Sequence, residues 1–386
     1  MAHSYAFLLT LVRALVSRLG PKSLGCLIAV AATAAGCGRA AVPAFITEAG
    51  PAEMGEVDQA SLCRRIDAVL AHTRDGRRLD ASVHGAWQVV HGILAFGRDF
   101  PLEHDGTVSS ALDYLMAGGQ VTGWVLRPSK PGVRAIVEGG STMAQGHPDQ
   151  WLGYLSQCGL APCGKGGVPL DTKLIVAGRE FAVADLLAQA QADITPGQEA
   201  TWTLMALSTY LPHDAEWTSR DGQTWTIGRV VAMEAAADIF SSACNGAHRL
   251  YGLIAAVKQH MAATGTSWEE LDGPWGEAAD VIDECVGRAR RFQQADGSFS
   301  THSFERPGTS TDVFATLSAT GHVFEVVVMA LDDERLAEPW VTRAADRLVT
   351  LLEQTADIDV ECGALYHAAH GLAIYRERTC RAGSLP

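Results

Sequence analysis

Six segments of the chain begin with a polar side chain and continue with Ala, Gly and apolar residues. The polar residue falls in the first turn or so of each segment, beside small residues that would let helices approach closely. The six openings lie at residues 84–87, 146–151, 199–202, 245–248, 321–325 and 363–367. Most of their polar residues are histidine or glutamate. Neutral imidazoles suit metal binding or proton transfer, and a neighbouring carboxylate suits metal ligation or general-base catalysis.

If these openings converge, they form one site with assignable roles. The candidate catalytic residues are His84, Glu199, His248 and Glu325. The candidate ligands of a divalent metal, such as zinc, are His322 and His367. The alternative for each histidine is a core residue satisfied by a neighbouring carbonyl group. The recurrence of one residue class at the same point of successive segments favours a shared site.

Three tryptophans follow the polar residues at short spacing, namely Trp87, Trp151 and Trp202. They are candidates for the floor of a substrate-binding cavity, and the alternative is packing between two helix layers. Asn245 and Arg249 lie about one helical turn apart and are candidates for binding a carboxylate or a sugar hydroxyl. Their alternative roles are a helix cap and a surface ion pair.

An ordinary amphipathic helix accompanies each of these segments, so the sequence predicts six pairs of helices. The predicted outer helices cover 57–74, 108–117, 180–192, 228–240, 276–294 and 337–355. The predicted inner helices cover 81–96, 147–157, 197–211, 244–261, 318–331 and 361–377. We therefore predict an all-α fold, an α/α toroid of about six helical hairpins. An open α-solenoid is built from the same unit and is the alternative to a closed ring.

Three segments with strand-like alternation interrupt the helices, at residues 121–137, 172–183 and 216–230. Turn sequences at Gly178 and at Asp221-Gly222 favour β-hairpins in the last two. The strands are too few and too far apart to build a core sheet. We expect short β-hairpin insertions on the rim of the helical domain.

One segment carries a resemblance to a known superfamily. The sequence QQADGSF at 293–299 resembles the QxxDGSW/F motif of squalene cyclases and protein prenyltransferases, and it matches at Gln293, Asp296, Gly297 and Phe299. The resemblance implies an α/α toroid in which the motif ends an outer helix. It also implies that the glutamine caps backbone groups while the aromatic ring packs beneath.

The segment 366–374 resembles the last inner helix of a protein-prenyltransferase β-subunit, where a Tyr-His pair precedes a GL-x-I run. In that family the histidine binds a catalytic zinc together with an Asp and a Cys of the preceding inner helix, which implies zinc binding by His367. The comparable stretch here is Thr320-Gly321-His322, so His322 is the further ligand that it offers. This stretch has neither the Asp nor the Cys of that family, and the acidic DxDD motif of the cyclases is absent from the chain. We expect a divergent member of the superfamily and reject protein prenylation.

The first 36 residues have the features of a signal peptide. Arg13, Arg18 and Lys22 form a basic region, and the apolar run at 23–35 is too short to span a bilayer. The run ends in Ala-Ala-Gly-Cys, which resembles a bacterial lipoprotein signal with lipidation at Cys37; ordinary cleavage or a retained anchor is the alternative. We expect an exported protein with a linker at 37–55 and the toroid domain at 56–380.

The composition of the chain limits the classes of binding partner that we expect. The net charge of −14 comes from scattered acidic residues, which argues against nucleic acid because counterion release needs clustered Lys and Arg. Membrane association is expected through a lipid anchor at most. Cys158 and Cys163 flank a short loop and are candidates for a small disulfide ring, and the absence of a CxxC pair argues against a zinc knuckle.

Two functions of different classes fit these features. The first is an exported enzyme that acts on a carbohydrate or lipid-like small molecule inside the His/Glu-lined cavity. The second is a noncatalytic binding or scaffold protein of the cell envelope. Fold analogy alone does not choose between them.

Overall fold

The computed structural model describes residues 57–138, 146–158 and 166–380. The predicted signal peptide, the linker and Cys37 lie outside these residues. Among the described residues are thirteen α-helices, α1 to α13 in chain order. Their bounds are Gln59–Asp75, Ala86–Phe96, Ala111–Met116, Gln150–Gln157, Val183–Asp193, Thr201–Tyr210, Ile227–Ala235, Ala247–Thr264, Gly273–Arg291, Val313–Ala330, Asp333–Leu336, Pro339–Gln354 and Cys362–Thr379. The fold is mostly helical, as the sequence predicts.

Nine short strands, β1 to β9, form four small sheets among the described residues. Their bounds are Leu79–Asp80, Pro101–His104, Thr107–Ser110, Trp124–Pro128, Val133–Val137, Lys173–Val176, Arg179–Ala182, Glu216–Thr218 and Thr224–Thr226. The last six form three antiparallel hairpins at the three predicted positions, so those hairpins are confirmed. The first three form a sheet that the sequence analysis missed, with β1 parallel to β2.

Two kinds of helix alternate along the chain because their burial patterns differ. Helix α12 buries apolar residues at helical spacing, such as Trp340, Ala344 and Leu348, and exposes its charged residues. Helix α10 is buried on nearly all sides from Ala319 to Val328. The same all-round burial holds in α2, α4, α6, α8 and α13. These six are the predicted inner helices, and their bounds agree with the prediction to within a few residues.

Contacts between these six buried helices run in a cycle. Helix α2 packs on α4, α4 on α6, α6 on α8, α8 on α10, α10 on α13, and α13 on α2. Glycines make two of these approaches possible. A Cβ on Gly252 would lie 2.7 Å from the carbonyl oxygen of Thr201, and one on Gly321 would lie 3.0 Å from Ala368 Cβ. The helices therefore approach at backbone distance, and this brings side chains of different helices close together.

Among the described helices, α10 is long and apolar enough to cross a membrane. Its apolar window is 61% buried within the fold. A central core helix of a globular protein meets the same criterion of length and composition. The helix therefore supplies apolar surface to the core formed with α8, α12 and α13.

The QxxDGSF segment behaves as the resemblance implies. The Gln293 side-chain amide donates to the carbonyl oxygens of Gly297 at 3.0 Å and Trp340 at 2.8 Å. The Phe299 ring is buried and packs edge-on against Trp340, with ring centroids 6.2 Å apart. Gly297 has a φ of +88°, and a Cβ there would lie 2.5 Å from the carbonyl oxygen of Arg343. The segment thus joins the end of α9 to α12.

A disulfide joins the two ends of the described fold. Cys63 of α1 bonds to Cys380, which directly follows α13, across a sequence separation of 317 residues. This pairing was not predicted. The predicted ring between Cys158 and Cys163 is wrong, because Cys158 is a free thiol. Its buried Sγ lies 3.2 Å from the carbonyl oxygen of Ile93. Cys163 itself lies outside the described residues.

Candidate functional site

Five buried histidines from four of the inner helices form one cluster, which we call the histidine cluster. None of them is more than 7% exposed. Its members are His91 on α2, His248 on α8, His322 on α10, and His367 and His370 on α13. The ring of His367 lies 4.3 Å from that of His322, 5.5 Å from His248 and 5.2 Å from His91, measured between centroids. Imidazoles are rarely buried in such number without a shared role.

Cys244 joins two of these histidines in a group with metal-ligand chemistry. The ligand atoms of Cys244, His248 and His322 all lie within 4.8 Å of one another. A tetrahedral zinc site, with bonds of about 2.0 to 2.3 Å, places its ligand atoms roughly 3.5 Å apart. Side-chain shifts on the order of 1 Å would therefore bring the three ligands to bonding distance. We call these three residues the Cys-His-His group.

The hydrogen bonds of the cluster leave the lone pairs that a metal needs. His322 Nδ1 donates to the carbonyl oxygen of Ser318 at 2.8 Å, so its Nε2 carries the free lone pair. Both ring nitrogens of His248 are buried without a hydrogen-bond partner among the described residues. A buried polar atom without a partner costs folding free energy, typically ~1 to 3 kcal/mol. That cost falls when a ligand or a metal ion supplies the missing interaction.

Glu325 organises the other side of the cluster. Its carboxylate is 1% exposed and accepts hydrogen bonds from Nδ1 of His367 at 2.6 Å and from Nδ1 of His370 at 2.5 Å. Burial opposes ionisation of Glu325, but its interactions with His367 and His370 outweigh burial and hold the pKa of the carboxyl well below its usual range. His367 Nε2 is left buried and unpartnered among the described residues. A histidine held by a carboxylate in one tautomer, with its other nitrogen free, suits metal binding or proton transfer.

Burial favours the neutral form of His248, His322 and His367. Burial is the largest cause that lowers the pKa of His248, and the neighbouring histidines lower it further. Burial also lowers the pKa values of His322 and His367, partly offset for His322 by its bond to the Ser318 carbonyl and for His367 by Glu325. Neutral imidazole is the form that binds metals or accepts a proton. The electrostatics of the cluster therefore match its hydrogen-bond geometry.

His91 differs from its neighbours because both of its nitrogens are satisfied. Its Nδ1 donates to the carbonyl oxygen of Trp87 at 2.6 Å. Its Nε2 accepts the hydroxyl hydrogen of Tyr154 at 2.7 Å, and the Tyr154 oxygen accepts from Gln150 at 3.0 Å. His91 is thus a core histidine that links α2 to α4. For this residue, the alternative of a core histidine satisfied by a neighbouring carbonyl group is confirmed.

The cluster reaches the surface beside Cys244. Cys244, Asn245 and Gly246 all have positive φ, at 51°, 52° and 91°, just before α8 begins. Non-glycine residues adopt this region at a cost, and such strain concentrates at functional sites. His147 and Glu199 are hydrogen-bonded here, with Nδ1 and Oε2 2.9 Å apart, and the His147 ring lies 5.5 Å from that of His248. Half-buried polar groups therefore flank the Cys-His-His group.

Two of the predicted catalytic residues lie outside the cluster. His84 precedes α2, since that helix begins at Ala86 rather than at residue 81. Its Nδ1 accepts the backbone N–H of Asp80 at 2.9 Å, and the residue lines a separate cavity. Glu199 pairs with His147 at the edge of the cluster. His248 and Glu325 lie within the cluster or against it.

The predicted substrate-binding residues have several different surroundings. Trp202 is buried with its ring centroid 5.1 Å from that of His248, and Trp151 packs edge-on against Trp124. Arg249 makes a buried ion pair with Glu234 at 2.8 Å, so the surface ion pair suggested for it is wrong. The remaining two residues are Trp87, whose ring lies tilted against His91 with centroids 4.2 Å apart, and Asn245, whose amide lies 3.5 Å from Ser303 Oγ.

No known protein identifies this site. No protein-family model matches the chain, no curated protein matches its sequence, and no solved structure matches its fold. The functional assignment therefore rests on the geometry of the described residues.

Sequence reasoning missed Cys244 as a member of the site. Cys244 and His248 are four residues apart, a spacing that brings side chains to one face of a helix. That spacing was the available signal, although Cys244 lies just before α8 in a left-handed conformation. The partner His322 is 74 residues beyond His248 in the sequence, and no local pattern joins them.

The metal-free protein should become less stable as the pH falls, because of His91. Burial and the nearby histidine charges outweigh its Trp87 hydrogen bond and hold the pKa of His91 well below its usual value. As pH falls through about 6.5, the unfolded chain takes up a proton that the folded state does not, so stability decreases. Between pH 7.5 and 5.5 we expect this one residue to account for about 1.4 kcal/mol of lost unfolding free energy.

This expectation is measured by denaturant unfolding with chelator present, comparing wild type with His91→Gln. The glutamine amide can replace both hydrogen bonds without titrating. Between pH 7.5 and 5.5 the variant should therefore lose about 1.4 kcal/mol less unfolding free energy than wild type. His213→Gln controls for removal of an imidazole from an exposed position. Equal pH dependence in wild type and His91→Gln would show that His91 does not stay neutral.

Proposed function

We propose that the protein is an exported α/α toroid that binds one zinc ion at Cys244, His248 and His322 and hydrolyses a carbohydrate or lipid-like substrate. The toroid is supported by the cycle of contacts from α2 to α13 and by the contacts of the QxxDGSF segment. Export is supported by the Cys63–Cys380 disulfide, since disulfides persist mainly in oxidising compartments. The proposal also includes a lipid anchor attached to Cys37.

The observation that carries the proposal is the Cys-His-His group itself. Three ligand-type side chains from two elements meet within 4.8 Å, and His248 has no other partner among the described residues for either ring nitrogen. One thiolate and two imidazoles form a borderline-soft ligand set that favours zinc over magnesium or calcium. Three protein ligands also leave one position of a tetrahedral site for substrate or water, as in catalytic rather than structural zinc sites.

The neighbouring residues provide the rest of a hydrolytic site. When bound, zinc would supply Lewis-acid polarisation of a carbonyl group and lower the pKa of water. His367 would accept a proton at its unpartnered Nε2, while Glu325 holds its Nδ1–H and stabilises the imidazolium that results. Trp202 shields the site from bulk water through its contact with His248. Such a set suits cleavage of an acyl ester or amide bond.

His367 is assigned here as a base, although the sequence suggested it as a zinc ligand. The group of ligand atoms within 4.8 Å of one another includes His322 and His248 and does not include His367 among the residues described. The two assignments differ in their consequence. Replacement of a base leaves zinc bound, whereas replacement of a ligand releases it.

Metal analysis of the full chain, purified without chelators, tests the proposal. We expect about one equivalent of zinc in wild type and under about a tenth in His248→Ala, because loss of a ligand weakens binding more than loss of an outer-shell partner does. His260→Ala is the matched control: it removes a histidine of the same helix that stacks on Trp275 instead. Absence of stoichiometric metal from wild type would refute the zinc site.

Activity is tested separately from metal content. We expect the zinc-loaded protein to hydrolyse nitrophenyl acyl esters, and His367→Ala to retain zinc while losing that activity. Zinc lost together with activity in His367→Ala would make His367 a ligand. A zinc-containing protein without esterase or amidase activity would retain the metal site and reject the hydrolase.

The alternative of a noncatalytic envelope protein is favoured by one observation. His91 and His322 each donate a hydrogen bond to the carbonyl group four residues earlier, which is the arrangement of structural core histidines. That alternative expects no metal and no change of ligand binding in His248→Ala. The metal analysis above therefore separates the two functions.

A further inference from the structure

A cavity that is lined by none of the five clustered histidines lies between the start of α13, the start of α2 and the segments around residues 77–79 and 356–361. It has a volume of about 600 Å³. Volumes of this size hold small organic molecules. Three of its lining residues carry a buried polar atom with no partner among the described residues. These atoms are Arg77 Nε, Trp87 Nε1 and Tyr366 Oη.

All three groups can donate a hydrogen bond. The guanidinium of Arg77 and the indole of Trp87 cannot accept one, whereas the hydroxyl of Tyr366 can. Tyr366 is fully buried, and its ring packs edge-on against Phe96 and Phe100 while its hydroxyl is left without a partner. The indole of Trp87 is fixed by its contact with His91. Three unsatisfied donors on residues that line one cavity call for a ligand that is rich in acceptors.

The charge of the ligand follows from Arg77. Its two terminal nitrogens donate to the carbonyl oxygens of Ile358 and Thr355, and no carboxylate of the described residues forms an ion pair with it. Burial lowers the pKa of Arg77, which marks a cation that has lost water without gaining a close anion. An anionic ligand would compensate that loss. The wall also contains the carboxyl groups of Asp359 and Glu361, which disfavour a dianion.

From this geometry we infer that the cavity binds a small organic monocarboxylate, with the carboxylate accepting from Arg77 Nε, Tyr366 Oη and Trp87 Nε1. Nε is the one guanidinium nitrogen of Arg77 without a hydrogen-bond partner among the described residues, and the carboxyl groups of Asp359 and Glu361 favour a singly charged carboxylate over phosphate. The remaining volume accommodates the organic part of the ligand against Trp87. This site shares no metal-ligand residue with the Cys-His-His group, so it is independent of the proposed function.

Isothermal titration of the full chain with acetate, benzoate and inorganic phosphate tests the inference. We expect benzoate to bind and phosphate to bind more weakly. Tyr366→Phe should weaken benzoate binding about tenfold or more, because it removes one hydrogen bond to a charged group. Its melting temperature should not fall, since the lost hydroxyl makes no hydrogen bond to a described residue.

Tyr375→Phe is the matched control, since Tyr375 lies on the same helix with the same burial. It should bind benzoate like wild type. Trp87→Phe provides a second test by removing the indole N–H and should weaken benzoate binding as well. The inference is overturned if neither carboxylate binds, if phosphate binds more tightly than benzoate, or if Tyr366→Phe and Trp87→Phe both bind like wild type.

Discussion

Replacement of Cys244 by serine should remove the thiolate-to-metal charge-transfer absorption of the cobalt-substituted protein and lower its zinc affinity by more than about 100-fold. The reason is the placement of Cys244. Its sulfur lies with His248 and His322 in a group of mutual distances within 4.8 Å, and it is the one soft ligand of that group. Cobalt absorption detects the sulfur bond directly, and competition with a chromophoric chelator measures the affinity.

Cys285→Ser is the matched control for this experiment. Cys285 is also a free thiol, fully buried where Cys244 is partly buried, and it lies on the outer helix α9. Its replacement should leave both the absorption and the affinity unchanged. An unchanged charge-transfer band in Cys244→Ser would exclude Cys244 as a ligand and leave two histidines, too few for a stable zinc site of this kind.

Replacement of Glu325 by glutamine should lower the unfolding free energy of the metal-free protein by about 3 kcal/mol. The carboxylate is fully buried and accepts from two imidazole N–H groups. A glutamine has one carbonyl oxygen and one amide nitrogen, so one of the two histidines would face a donor instead of an acceptor. The loss is measured by denaturant unfolding with chelator present.

The same replacement should lower activity while leaving zinc bound, because Glu325 positions the ring of His367, which acts as a base and not as a ligand. Glu284→Gln provides the control on stability. Glu284 is an exposed carboxylate paired with Arg288, and its loss should cost well under 1 kcal/mol. If Glu325→Gln proves as stable as Glu284→Gln, the two imidazole hydrogen bonds do not hold a charged carboxylate in the fold.

The alternation of helix types was predictable because it is a local property of the sequence. An outer helix such as α12 shows apolar residues every three or four positions, and an inner helix such as α10 is apolar on all sides. Turn residues fixed the hairpins in the same way, as at Gly178, where φ is +73°. Each of these signals lies within a short stretch of consecutive residues.

The candidate site was predictable in part. The recurrence of polar residues at the inner openings led to His248, His322, Glu325 and His367, which the structure brings together. It also led to His84, which is not in the cluster, because a turn around Gly85 delays the start of α2. The residue of α2 that does reach the cluster is His91, one heptad later, and it is satisfied by Trp87 and Tyr154.

By itself the sequence determined the helical pairs, the three hairpins, the QxxDGSF turn and the type of residue at the inner openings. Only the tertiary structure decided that Cys244 meets His322, that Cys63 bonds to Cys380 across 317 residues, and that the hydroxyl of Tyr366 faces no described partner. The physical reason is that short-range preferences depend on neighbouring residues, whereas convergence depends on how packed helices are rotated against each other. That rotation is set by whole interfaces, such as the close approach of Gly252 to Thr201, and not by any single segment.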